Sequence, residues 1–107
     1  MDTLDQEMTT AAGGPGQASL AITGDVDASN ADRLRLAILE AAAQHPAQLE
    51  VDLSGVTFMD STGLRAIEDA SRSLDPSGAA LVLHSVPRQV QRLLEITEVW
   101  PALEVRR

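Results

Sequence analysis

The apolar residues of this chain fall into short runs of alternating character. Ser19-Leu20-Ala21-Ile22-Thr23 alternates apolar and small polar residues, as a half-buried strand does. Leu34, Ala37, Ile38 and Ala41 then recur at helical spacing. They predict a helix from about Ser29 to about Gln44, ended by Pro46, with Arg33, Arg35 and Glu40 left in water. Leu49 to Leu53 reads as a second strand, and Val56 to Met59 continues the apolar run after Ser54-Gly55. Leu64, Ile67, Ala70, Ser71 and Leu74 mark a second helix, which Pro76-Ser77-Gly78 stops. Ala79 to Leu83 is a near-continuous apolar run, the mark of a strand covered on both faces. Pro87 suits the first turn of a third helix, with Val90, Leu93 and Leu94 inward and Arg88 and Arg92 outward. Val99-Trp100 to Val105 reads as a short last strand.

Strands joined through helices favour parallel pairing and right-handed crossovers. The predicted class is α/β, a single domain with helices packed on a small mixed, mostly parallel β-sheet. Gly24-Asp25-Val26-Asp27 is expected to turn, and Ser29 with Asp32 resembles a capping box at the start of the first helix. Residues 1–17 carry Asp2, Asp5 and Glu7 and then Gly13-Gly14-Pro15-Gly16. They show no periodicity and read as a flexible tail, with an edge strand as the alternative. The domain proper is expected over 18–107.

With 107 residues there is room for one modest core. Aromatic residues make up 2% of the chain, so that core must come from Leu, Ile, Val and Ala. The net charge is -8, and every positive side chain is arginine. Such a field opposes nucleic acid, whose binding needs a basic surface, and it opposes anionic membrane surfaces. The same acidity serves solubility or the steering of a partner. The absence of cysteine excludes disulfides and thiolate metal sites. No apolar run approaches the roughly 20 residues that span a bilayer. The first residues are acidic where a signal peptide is basic, so a cytoplasmic protein is expected.

The candidate chemistry lies in Asp60-Ser61-Thr62-Gly63, where an apolar strand gives way to a helix. Nucleophilic catalysis by Ser61 needs a base, and His45 and His84 sit in no nucleophile motif. An enzyme is therefore not expected. Asp60 to Gly63 has the Asp-x-x-Gly spacing of a GTPase switch, but a chain without lysine has no phosphate-binding loop to accompany it. Asp25 and Asp27 are two apart and Asp60 is their candidate neighbour. Turn formation and capping account for all three without a metal. No motif asks for a cofactor. Ser61 reads in two ways. It serves as an N-cap, or it accepts a phosphate of about -1.5 to -2 charges, tolerable at a helix N-terminus. Sequence chemistry alone leaves both open, with Thr62 the second choice of acceptor.

The run Val51 to Leu64, with its Asp-Ser-Thr-Gly-Leu core, resembles the signature of STAS domains and is most similar to bacterial anti-sigma factor antagonists. Gly24-Asp25-Val26-Asp27 resembles that family's Gly-Glu-Leu-Asp turn, and Val86-Pro87 to Ile96 resembles its late helix. The resemblance covers roughly residues 18–100. It implies a partner-switching regulator of transcription. The unphosphorylated form would bind an anti-sigma factor that is also a serine kinase, and so free the sigma factor. Phosphorylation of Ser61 would break the complex, and a serine phosphatase would restore it. Asp25, Asp27, Asp60, Ser61, Thr62, Gly63 and Leu64 map onto the partner-binding surface. The chain departs from the pattern at Asp25, where Glu is usual. It departs again before residue 18, where a first strand is expected, and after Trp100, where a last helix is expected. The early end after Trp100 and the lone domain also fit STAS adaptor or scaffold subunits of lipid-transport or signalling complexes, which bind a partner without needing phosphorylation.

Overall fold

The computed structural model describes residues 8–12, 17–43, 47–74, 80–97 and 104–106. In chain order they form β1 (Met8–Ala12), β2 (Gln17–Val26), α1 (Ala31–Ala42), β3 (Gln48–Met59), α2 (Ser61–Leu74), β4 (Ala80–His84), α3 (Arg88–Thr97) and β5 (Glu104–Arg106). The expected roles of His45, Pro46, Gly13 to Gly16, Pro76 to Gly78 and Val99 to Leu103 fall outside the described residues.

The strands lie side by side in the order β1-β2-β3-β4-β5. β1 runs antiparallel to β2, inside the segment read as a tail with an edge strand as its alternative. The pairs β2–β3, β3–β4 and β4–β5 are parallel. Each helix carries the chain to the next neighbouring strand, always in the same direction. Crossovers of one hand then put all three helices on one face of the sheet. The core agrees. One cluster joins Leu20, Ile22 and Val26 of β2 and Leu49, Val51 and Leu53 of β3 to Leu34 and Ile38 of α1, Leu64 and Ile67 of α2, and Val90 and Leu94 of α3. Burying each such side chain contributes about 1.5–3 kcal/mol. The alternate positions Ser19, Ala21, Thr23, Glu50 and Asp52 point to the other face and are half-buried. Among the described residues no aromatic ring enters the cluster.

The local detail differs from the sequence reading in three places. First, the chain does not turn at Gly24 to Asp27. β2 continues to Val26, and its pairing with β3 shifts register between Ala21 and Thr23 and again between Gly24 and Asp25. Gly24 holds φ at 88°, a conformation open to glycine, and so accommodates this irregularity within the strand. Second, β3 passes unbroken through Ser54-Gly55 to Met59. Third, Ser29 and Asp32 form no capping box. Asn30 is the N-cap of α1, and its side chain turns away from the helix.

Candidate functional site

β2 and β3 end together, and the backbone amide of Asp60 donates to the carbonyl of Val26 at 3.1 Å. The candidate residues therefore gather at the carboxyl ends of two parallel strands, the usual place for a site in an α/β sheet. Asp25 lies in the last part of β2, beside β3, and accepts a hydrogen bond from the hydroxyl of Thr57. Asp27 opens the loop into α1. It accepts from the amide and the hydroxyl of Ser29, and these bonds hold its carboxyl below the ordinary aspartate range.

Asn30 shapes that loop. It is 7% exposed, and its side-chain oxygen accepts the Asp27 amide while its side-chain nitrogen donates to the Asp25 carbonyl, both at 2.9 Å. A buried amide with donor and acceptor both satisfied fixes the path of residues 25–30. The sequence offered one cue to this role, an asparagine immediately before the first helical residue.

Asp60 is the N-cap of α2. Its carboxylate accepts the amide of Thr62 at 2.9 Å, the amide of Gly63 at 3.2 Å, and the hydroxyl of Thr62. Ser61 is consequently the first residue of the helix rather than its cap. Its side chain is exposed, and its hydroxyl has no hydrogen-bond partner among the described residues. Among the described residues no base is placed against it. His84 Nδ1 lies 2.8 Å from Ser85 Oγ at the end of β4, and His45 is outside the described residues. The two hydroxyls at the helix start thus differ in state: Thr62 is engaged and Ser61 is open.

Gly63 and Leu64 are buried. A Cβ on Gly63 would lie 2.6 Å from Val26 Cγ1 and 2.9 Å from Met59 Cγ, so the glycine lets the first turn of α2 sit directly on β2 and β3. Both residues support the surface from beneath. The exposed or half-exposed part comprises Asp25, Asp27, Asp60, Ser61 and Thr62, with the ring of Phe58 46% exposed beside them. A shallow groove of about 270 Å³ between α1 and α2 continues this surface past Thr62, lined by Ala28, Asp32, Arg35, Arg65 and Asp69. Among the described residues no group of three or more His, Asp or Glu side chains is placed to hold a metal ion, and no helix is long and apolar enough to cross a membrane.

Met59 precedes this site and is held by a residue that the sequence did not single out. Gln89, in the first turn of α3, accepts the Met59 amide at 2.9 Å and donates to the Met59 carbonyl at 2.7 Å. Nothing local to Gln89 signals this contact, because its partner lies 30 residues away.

Comparison with known proteins agrees with this fold. Among curated relatives, the anti-sigma-B factor antagonist of Listeria monocytogenes is 32% identical over 85 residues, covering 79% of this chain and 75% of that protein. A putative anti-sigma factor antagonist of Thermotoga maritima superposes with a TM-score of 0.82 at 19% identity, over 94% of this chain and 86% of that one. The Bacillus cell fate determinant SpoIIAA in its phosphorylated form superposes with a TM-score of 0.69 at 15% identity, over 92% and 90% of the two chains. The family model of the STAS domain matches residues 10–106, and the chain belongs to the STAS domain family.

Proposed function

We propose that this chain is an anti-sigma factor antagonist that works by partner switching in the cytoplasm. Its unphosphorylated form binds an anti-sigma factor that is also a serine kinase, and the sigma factor is released. The kinase then transfers the γ-phosphoryl group of ATP to Ser61. The Ser61 oxygen forms the new bond to phosphorus, the bond to the ADP oxygen breaks, and the hydroxyl proton passes to the kinase's base. A serine phosphatase hydrolyses the ester and restores binding. The chain itself performs no catalysis.

The observation that carries this reading is the open hydroxyl of Ser61 on the first turn of α2, next to a Thr62 hydroxyl already bound to Asp60. A phosphate on Ser61 meets the positive end of the helix dipole, which keeps the fold intact. It also adds about -1.5 to -2 charges beside Asp60, in a surface that already carries Asp25 and Asp27. That change is confined to the surface and is large enough to expel a docked partner. Asp25, Asp27, Asp60, Ser61 and Thr62 form the contact surface in this reading, with Phe58 as its apolar element and Gly63 and Leu64 as its support. The names of the relatives and the phosphorylated state of SpoIIAA support the same role.

The test is binding of the purified anti-sigma factor to three forms of the chain by calorimetry. The wild type and Ser61→Ala bind alike, and Ser61→Asp binds at least about 10-fold more weakly, about 1.4 kcal/mol. Equal binding by all three contradicts the switch and favours an adaptor that uses this surface without phosphorylation.

A further inference from the structure

β4 covers β3 only as far as Asp52, which pairs with His84. Beyond that point the same edge of β3 continues toward the site, and the backbone N–H and C=O of Met59 face it. A strand would normally take both groups. Here one side-chain amide does so: Gln89 supplies an acceptor at 2.9 Å and a donor at 2.7 Å. The primary amide of a glutamine carries an acceptor and a donor on one carbon, side by side, and only one orientation of the amide satisfies both. On the opposite edge the Asp60 amide is bonded to Val26. Residues 59 and 60 are therefore held from both sides, immediately before the N-cap that starts α2. The buried face of α3 is made by Val90 and Leu94, so Gln89 is not needed for the core.

We propose that Gln89 is a positioning residue for phosphoryl transfer to Ser61. It acts through Met59 and Asp60, by fixing where the first turn of α2 begins and hence where the Ser61 oxygen is presented. The proposal rests on the reading of Ser61 as the phosphate acceptor. Its physical basis is that in-line transfer is sensitive to small displacements of the attacking atom.

The experiment uses the full chain as substrate for its purified anti-sigma factor kinase and ATP, with Gln89→Met and Gln89→Glu beside the wild type. Methionine keeps the reach and loses both hydrogen bonds. Glutamate at neutral pH keeps the acceptor and sets a lone pair against the Met59 carbonyl. Amide hydrogen exchange at Met59 is expected to accelerate in both variants, while exchange at Val51 in the paired part of β3 stays as in the wild type. The kcat for Ser61 phosphorylation is expected to fall by about 10-fold, at unchanged KM for the chain. A purely structural role would do the reverse: a partly unfolded substrate raises the apparent KM and leaves kcat alone. Faster exchange at Met59 with unchanged kcat in both variants overturns the positioning role and leaves Ser61 as acceptor. Absence of phosphate from Ser61 in the wild type overturns the acceptor reading itself, and the proposal with it.

Discussion

Asp60 and Thr62 are joined twice: the Asp60 carboxylate accepts both the backbone amide and the side-chain hydroxyl of Thr62. One residue thereby caps α2 and occupies the hydroxyl of the second candidate phosphate acceptor. Replacing Asp60 by Ala removes both effects. The variant should lose about 1 kcal/mol of stability, the usual worth of a cap. It should also show phosphate on Thr62 that the wild type lacks. Asp60→Asn keeps a capping oxygen and should lie close to the wild type in stability. Urea denaturation with phosphopeptide mapping of the three proteins checks both statements.

Gly63 gives a prediction of opposite sign to helix propensity. Alanine is favoured over glycine in a helix by about 1 kcal/mol. At this position, however, the added methyl would lie 2.6 Å from Val26 Cγ1 and 2.9 Å from Met59 Cγ. Overpacking of this kind costs about 1–3 kcal/mol, so Gly63→Ala should be net destabilising or at best neutral. Val26→Ala should relieve the clash. The double variant is then expected to be more stable than the sum of the two single changes allows, by about 0.5 kcal/mol or more in a double-mutant cycle.

Asp27 makes the local stability of the α1 entry depend on pH. The Ser29 hydroxyl, then the Ser29 amide, stabilises the charged carboxylate and lowers its pKa in the folded chain. A depressed carboxylate pKa means a stabilising contribution that is complete above the ordinary aspartate value of about 3.9. It is lost as pH falls through the lower folded value. Ser29→Ala should move the Asp27 midpoint upward, because it deletes the larger of the two causes. An NMR titration of the Asp27 carboxyl carbon in both proteins measures this. Equal midpoints would remove the Ser29 hydroxyl as a cause.

The elements that a local pattern controls were legible in the sequence. Alternation marked β2, helical spacing marked α1 and α2, and the apolar run at Leu81 to Leu83 marked β4. The strand-to-helix junction that holds the candidate site was legible too, because Asp60-Ser61-Thr62-Gly63 follows an apolar run and carries capping and small residues. What the sequence hid depends on contacts across the sheet. Gly24 and Asp25 look like a turn, but pairing with β3 keeps them in strand with a register shift. Ser29 and Asn30 are both good caps by type. The buried bonds of Asn30 to Asp27 and Asp25 leave Ser29 to Asp27 instead of to the helix. The sequence does not show why a glycine stands at position 63, because the neighbours that leave no room for a side chain, Val26 and Met59, come from β2 and β3. Gln89 carried no signal, since an exposed-looking glutamine in a helix acquires meaning only when β3 is brought beside it.

The central claim is that Ser61, open and unactivated, is another protein's substrate. Its most direct test is to incubate the chain with its purified anti-sigma factor kinase and ATP and to map the phosphate by mass spectrometry. The account predicts phosphate on Ser61, at a stoichiometry approaching one per chain, and none on Ser61→Ala. A wild-type chain that carries no phosphate on Ser61, or a Ser61→Ala chain that is modified as fully as the wild type, would contradict it.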